Sequence, residues 1–162
     1  MIDDDIKKKL SVLMKLANAL NATRITWALG ASLLLYFKGI VSTFHDIDIM
    51  VDEEDVEKLT ETLGKFCVLQ KANPNKQYKT HTFLEYKYED VDIDVMAGFI
   101  IVKDGIDYDC SLRKDQIVEY IQLGEESIPL MSVSTWRRYY QLMNRDNKVQ
   151  IIDDYKVTNG SR

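Results

Sequence analysis

Cysteine, proline, histidine and basic excess are all scarce in this sequence, and each shortage removes a class of answer. The only cysteines, Cys67 and Cys110, lie far apart with no C-x-x-C context. That excludes a disulfide framework or a paired-thiol zinc site and makes both reduced core thiols. Two prolines and seven glycines in 162 residues leave no linker, repeat or low-complexity tract, so one domain spanning 1–162 is expected. No apolar run approaches the roughly 18 residues of a membrane span. The start, "MIDDDIKKKL", lacks the apolar core of a signal peptide, so a cytoplasmic protein is expected. The formal net charge is −5, which argues against strong general nucleic-acid binding because that needs a basic footprint. It leaves open a small anionic ligand held through a metal.

What is present reads as alternating helices and strands. In "DDDIKKKLSVLMKLANALN", Ile6, Leu10, Leu13, Leu16, Ala17 and Leu20 recur at helical spacing behind an acidic first turn. "RITWALG" reads as a strand stopped by Gly30, and "ASLLLYFKG" as a short apolar helix closed at Gly39. "DIDIMVD" is the next strand, "EEDVEKLTETLGKF" a surface helix and "FCVLQ" a short strand. "KTHTFLEYKYEDVDIDVMAGFIIVKDG" has the alternation of a hairpin or meander, and "GIDYDCSL" allows another strand. Pro129 punctuates the chain, and Ser132–Tyr155 is helical with a break at Asn144–Asn147. The order predicts an α+β fold: a mixed β-sheet with helices mainly on one side, then C-terminal helices.

Asp46 and Asp48 sit in an apolar run. Residues two apart in a strand share a face, which puts these carboxylates together roughly 5–7 Å apart given the strand rise. Two bare anions so placed repel, and one is driven toward protonation. A divalent cation with hard oxygen ligands relieves the conflict. "VDIDVMAGF" repeats the pattern with Asp92 and Asp94. If its strand neighbours the first, a third carboxylate joins, and three can hold two ions about 3.5–4 Å apart for displacement at phosphorus. Upstream, Gly30 admits close backbone approach, and the helix start behind it offers free N–H groups.

The ordered set "LGAS" (29–32), an apolar helix, "HDIDIMV" (45–51) and "VDIDVMAGF" (91–99) resembles the DNA polymerase beta-like nucleotidyltransferases. Within them it is most similar to small bacterial proteins grouped with antibiotic nucleotidyltransferases. The likeness covers a core of about 20–105. The C-terminal helical segment, about 132–156, also resembles the closing helices of these proteins, with Arg145 and Lys148 at the places of an Arg-x-x-Lys. The resemblance implies Mg²⁺ or Mn²⁺ ligated by Asp46, Asp48 and Asp94, the last also helping to deprotonate a hydroxyl acceptor; Asp94 is preferred to Asp92 because "DVMAGF" usually follows the third Asp. It places Gly30 and Ser32 against the triphosphate of ATP or another NTP, with Arg145 and Lys148 as further nucleotide contacts. Two departures stand out: Ala31 replaces a second Gly or Ser, and the stretch "VSTFH" just before the Asp pair holds no Arg.

Transfer of a nucleoside monophosphate to a hydroxyl, with pyrophosphate leaving, is therefore the expected reaction. The departures motivate an alternative of another class, a non-catalytic nucleotide- or metal-binding module such as a toxin–antitoxin component. A structural cation site without nucleotide is a third reading. The acceptor stays open, small molecule or macromolecule. A homodimer is possible because little chain remains to build an acceptor cleft. His45 reads as structural or solvent-facing rather than a ligand, His81 as exposed, and Arg137 and Arg138 as the polar side of a helix whose apolar side is Trp136, Tyr140 and Met143.

Overall fold

The computed structural model describes residues 3–72 and 78–158. Helix α1 (Asp4–Thr23) begins where Asp3 caps the Ile6 amide at 2.8 Å, satisfying one of the otherwise unpaired first-turn donors. Strand β1 (Trp27–Leu29) leads through Gly30 into α2 (Ala31–Phe37). Strand β2 (Ile47–Val51) precedes a 3₁₀ turn and α3 (Val56–Leu63). Strands β3 (Val68–Leu69), β4 (Thr82–Tyr88) and β5 (Val91–Ala97) follow, then the separate ribbon β6 (Ile100–Lys103) and β7 (Ile106–Asp109). The hairpin β8 (Ile117–Leu123) and β9 (Glu126–Met131) leads into α4 (Val133–Leu142) and α5 (Asp146–Thr158). This is the mixed α+β fold expected from the sequence. No helix among the described residues is long and apolar enough to cross a membrane.

The seven-stranded sheet runs β3-β4-β5-β2-β1-β9-β8. Its central pair is the decisive one: β2 and β5 are parallel, with Ile47 opposite Ile93 and Asp48 opposite Asp94. Alternation then sorts the two faces. Ile47, Ile49, Ile93 and Val95 are fully buried on one side. Helix α1 lies over that side, where Lys15 reaches Tyr88 of β4, and α1 also packs on α3. Asp48, Asp92 and Asp94 share the opposite side, where α4 and α5 close one end.

The reading of Pro129 as a break is corrected. Residues 117–131 form a hairpin, with Pro129 inside β9 opposite Tyr120. A strand proline is tolerable where few ladder bonds are required of it, and β9 meets β1 in register only at Leu29–Leu130. Both cysteines are free and buried, and burial pushes each thiol up to about 11.

Candidate active site

The acidic cluster is built by strand register. Asp48 lies within β2, Asp94 lies opposite it on β5, and Asp46 stands one residue before β2. One carboxylate oxygen from each lies within 4.8 Å of the others. None is fully buried, yet the surroundings withhold enough water to perturb them. Burial first, then the charges of Asp94 and Asp46, holds Asp48 well above the usual carboxylate range, against the pull of Arg145 and Lys148. Asp94 is pushed up to about 7 by burial, then by the charges of Asp46, Glu85 and Asp92, and by a hydrogen bond with Asp46. A trio that resists its own charge is what an oxygen-ligand cation site looks like before a cation neutralises it.

Asp92 points to the same side but pairs with Lys87 at 3.3 Å. It also forms a second group with His45 and Asp46. His45 is exposed, as expected, yet its Nδ1 contacts the Asp46 carboxylate. Sequence reasoning missed this contact, because Asp46 lies outside the strand and strict alternation does not apply to its neighbour.

Above the trio is a cavity of about 880 Å³, lined by Ala31, Ser32, Arg145 and Lys148 and also by Phe83 and Glu85 of β4. Lys148 Nζ donates to Ser32 Oγ at 3.2 Å. Burial, then the neighbouring Arg145, lowers the Lys148 ammonium's pKa, and the charge of Asp48 partly offsets this. Arg145 stands in the turn between α4 and α5, with its guanidinium 5.6 Å from the Tyr140 ring centre. Arg137 is engaged elsewhere, clamping Asp153 through two bonds of 2.7 and 2.9 Å that fix α5 on α4.

Gly30 stands apart from the cavity wall. A Cβ there would come within 2.4 Å of the Trp136 indole, so the missing side chain makes room for α4. Its N–H donates to the Asp48 carbonyl at 3.2 Å, tying the β1–α2 turn to the acidic strand. The next residue, Ala31, adopts φ 53°, a left-handed conformation that disfavours a residue with a Cβ.

The profile of the aminoglycoside-2''-adenylyltransferase family matches residues 12–153. The chain belongs to that family. It is accordingly an enzyme of the nucleotidyltransferase type, as the acidic strands suggested. Solved structures agree on the fold of this adenylyltransferase-family chain. TM1012 from Thermotoga maritima, a candidate nucleotidyltransferase, superposes with TM-score 0.74 at 21% identity over 96% of this chain and 94% of its own. The lincosamide antibiotic adenylyltransferase LnuA, solved with lincomycin bound, gives TM-score 0.56 and 15% identity over 79% of this chain and 83% of its own. ANT(2'')-Ia, solved with adenylyl-2''-tobramycin, gives 0.56 and 8% over 94% of this chain and 99% of its own. At these identities the likeness establishes the fold alone. No curated protein shows a significant sequence match.

Proposed function

We propose that this chain, as one minimal nucleotidyltransferase domain, transfers AMP from ATP to a hydroxyl of a small antibiotic-like acceptor, releasing pyrophosphate, in a reaction that depends on Mg²⁺ or Mn²⁺. The observation that carries the reading is the convergence of Asp46, Asp48 and Asp94 within 4.8 Å at the base of a cavity that also holds Arg145 and Lys148. The all-oxygen donor set fits a hard divalent cation. Asp46, Asp48 and Asp94 would hold it. When bound, it would neutralise charge on the phosphates as the α-phosphorus is attacked.

The chain's own residues do the rest. Arg145 and Lys148 face the acidic trio and offer cationic donors to phosphate oxygens. They supply positive charge that the segment before Asp46 does not. Ser32 adds a hydroxyl from the start of α2, and Gly30 lets α4 close against the β1–α2 turn. The acceptor oxygen forms its bond to the α-phosphorus as the bond to pyrophosphate breaks. The acceptor's proton passes to Asp94, the carboxylate that lies opposite Asp48 on the neighbouring strand. The acceptor lies on the side of Phe83 and Glu85, where an apolar ring and a free carboxylate suit a sugar bearing amines. The antibiotics held by LnuA and ANT(2'')-Ia make lincosamides and aminoglycosides the first acceptors to try.

The test is pyrophosphate release from Mg-ATP across a panel of such acceptors, with Asp48→Asn beside the parent chain. Acceptor-dependent release that Asp48→Asn reduces by about a hundredfold to a thousandfold, as for loss of a group stabilising transition-state charge, supports the mechanism. Undiminished turnover and metal binding in Asp48→Asn refutes it.

A further inference from the structure

One polar atom in the wall of the cavity has no role in the mechanism above. Tyr140 is 2% exposed, and its hydroxyl has no hydrogen-bond partner among the described residues. Leaving such a group unpaired costs about 1–3 kcal/mol, and native interiors rarely tolerate it without a reason. A phenylalanine would fill the same space between Trp136, 5.6 Å away ring to ring, and the Arg145 guanidinium. The hydroxyl therefore adds nothing to the packing that the ring does not already supply.

Its surroundings suggest a use for it. Ser32 is the neighbouring side chain able to exchange a hydrogen bond with it. Ser32 Oγ is meanwhile engaged by Lys148 Nζ at 3.2 Å. That lysine is a partly buried cation beside Arg145, so an incoming anion is a better partner for it than a serine.

We propose that Tyr140 is a positioning residue for the nucleotide. When a triphosphate draws Lys148 away from Ser32, the Tyr140 hydroxyl donates to Ser32 Oγ and turns the serine's own proton toward a phosphate oxygen. The orphan in the empty site becomes the inner link of a Tyr140–Ser32–phosphate chain in the loaded one. The inference rests on the nucleotidyl-transfer reading of the same cavity.

The test is a double-mutant cycle of Tyr140→Phe and Ser32→Ala, read by binding of a non-hydrolysable Mg-ATP analogue, by KM for ATP against kcat, and by melting without ligand. Tyr140→Phe is expected to weaken the analogue and raise KM by about fivefold to tenfold, the worth of one hydrogen bond at a charged ligand. The change in kcat should be smaller, and the melting temperature without nucleotide equal or higher. In the Ser32→Ala background, Tyr140→Phe should add nothing to the loss. Unchanged analogue affinity, independent losses in the cycle, or a lower melting temperature of ligand-free Tyr140→Phe would each overturn the proposal while leaving nucleotidyl transfer standing. A parent chain that binds no Mg-ATP analogue would instead refute the nucleotide reading, and this inference with it.

Discussion

Removing the charge on Asp94 separates the cost of the acidic cluster from its use. Asp94 titrates near 7 in the folded chain against an ordinary 3.8. Between these values the folded state keeps a proton that the unfolded state has lost. The linkage slope is then negative, and stability falls as pH rises from about 4 to about 7. At about 1.36 kcal/mol per pH unit, the full rise corresponds to about 4 kcal/mol lost above pH 7. Asp94 is only partly buried and is coupled to Asp46 and Asp48, so solvent screening reduces this to about 1–2 kcal/mol. In metal-chelated buffer the melting temperature should therefore drop by several degrees between pH 5 and pH 8. A stability change of about 1 kcal/mol moves the melting point of a domain near this size by roughly 3 °C. Asp94→Asn should make the profile shallower, leaving the part that Asp48 contributes, raise the metal-free melting point at pH 8, and abolish the shift produced by Mg²⁺ or Mn²⁺. Melting curves of both chains at five pH values, with and without metal, measure all three effects. A flat metal-free profile for the parent chain, or an Asp94→Asn chain less stable than its parent at pH 8, would refute the claim that these carboxylates are held together against their own repulsion.

Other substitutions probe the frame. Gly30→Ala drives a methyl into the Trp136 indole and should destabilise the fold by about 1–3 kcal/mol, seen as a lower urea midpoint. Ala31→Gly relieves a left-handed φ of 53° and, after the entropy glycine adds to the unfolded chain, should stabilise by about 0.5–1 kcal/mol in the same assay; a loss would mean the strain there is illusory. Lys148→Ala should raise KM for ATP by about tenfold or more through loss of a charge-assisted phosphate contact, with little change in melting temperature. Arg137→Ala unclamps α5 from α4 and should cost roughly 1 kcal/mol, although Arg137 itself does not line the cavity.

The parts of the fold visible in the sequence were those with a strong local period. The apolar stripe of α1, the alternation in β4 and β5, and the Asn144 break between α4 and α5 each follow from side-chain spacing. Hairpin β8–β9 did not show because Pro129 carries a turn signal while sitting inside a strand. The strand is held by its pairing with β8, and its seat beside β1 at Leu29–Leu130 is a contact that no local window contains. The acidic site divides the same way. Period-two spacing put Asp92 and Asp94 on one face correctly but could not choose between them. The choice depends on which neighbours β5 acquires: Asp94 falls opposite Asp48 on β2, whereas Asp92 is drawn toward Lys87.

The place of Gly30 in the sequence conceals what it packs against. Its place between strand and helix suggested a backbone opened for a ligand, but the space is taken by Trp136. That packing still serves the cavity, at one remove. With α4 seated against Gly30, the turn at Asn144 and the Arg137–Asp153 clamp swing α5 back so that Arg145 and Lys148 face Asp48. The cations absent ahead of the Asp pair are thus delivered from some hundred residues downstream, by a glycine that touches none of them. Filling the Gly30 site should consequently weaken nucleotide binding as well as the fold, even though no atom of Gly30 lines the cavity.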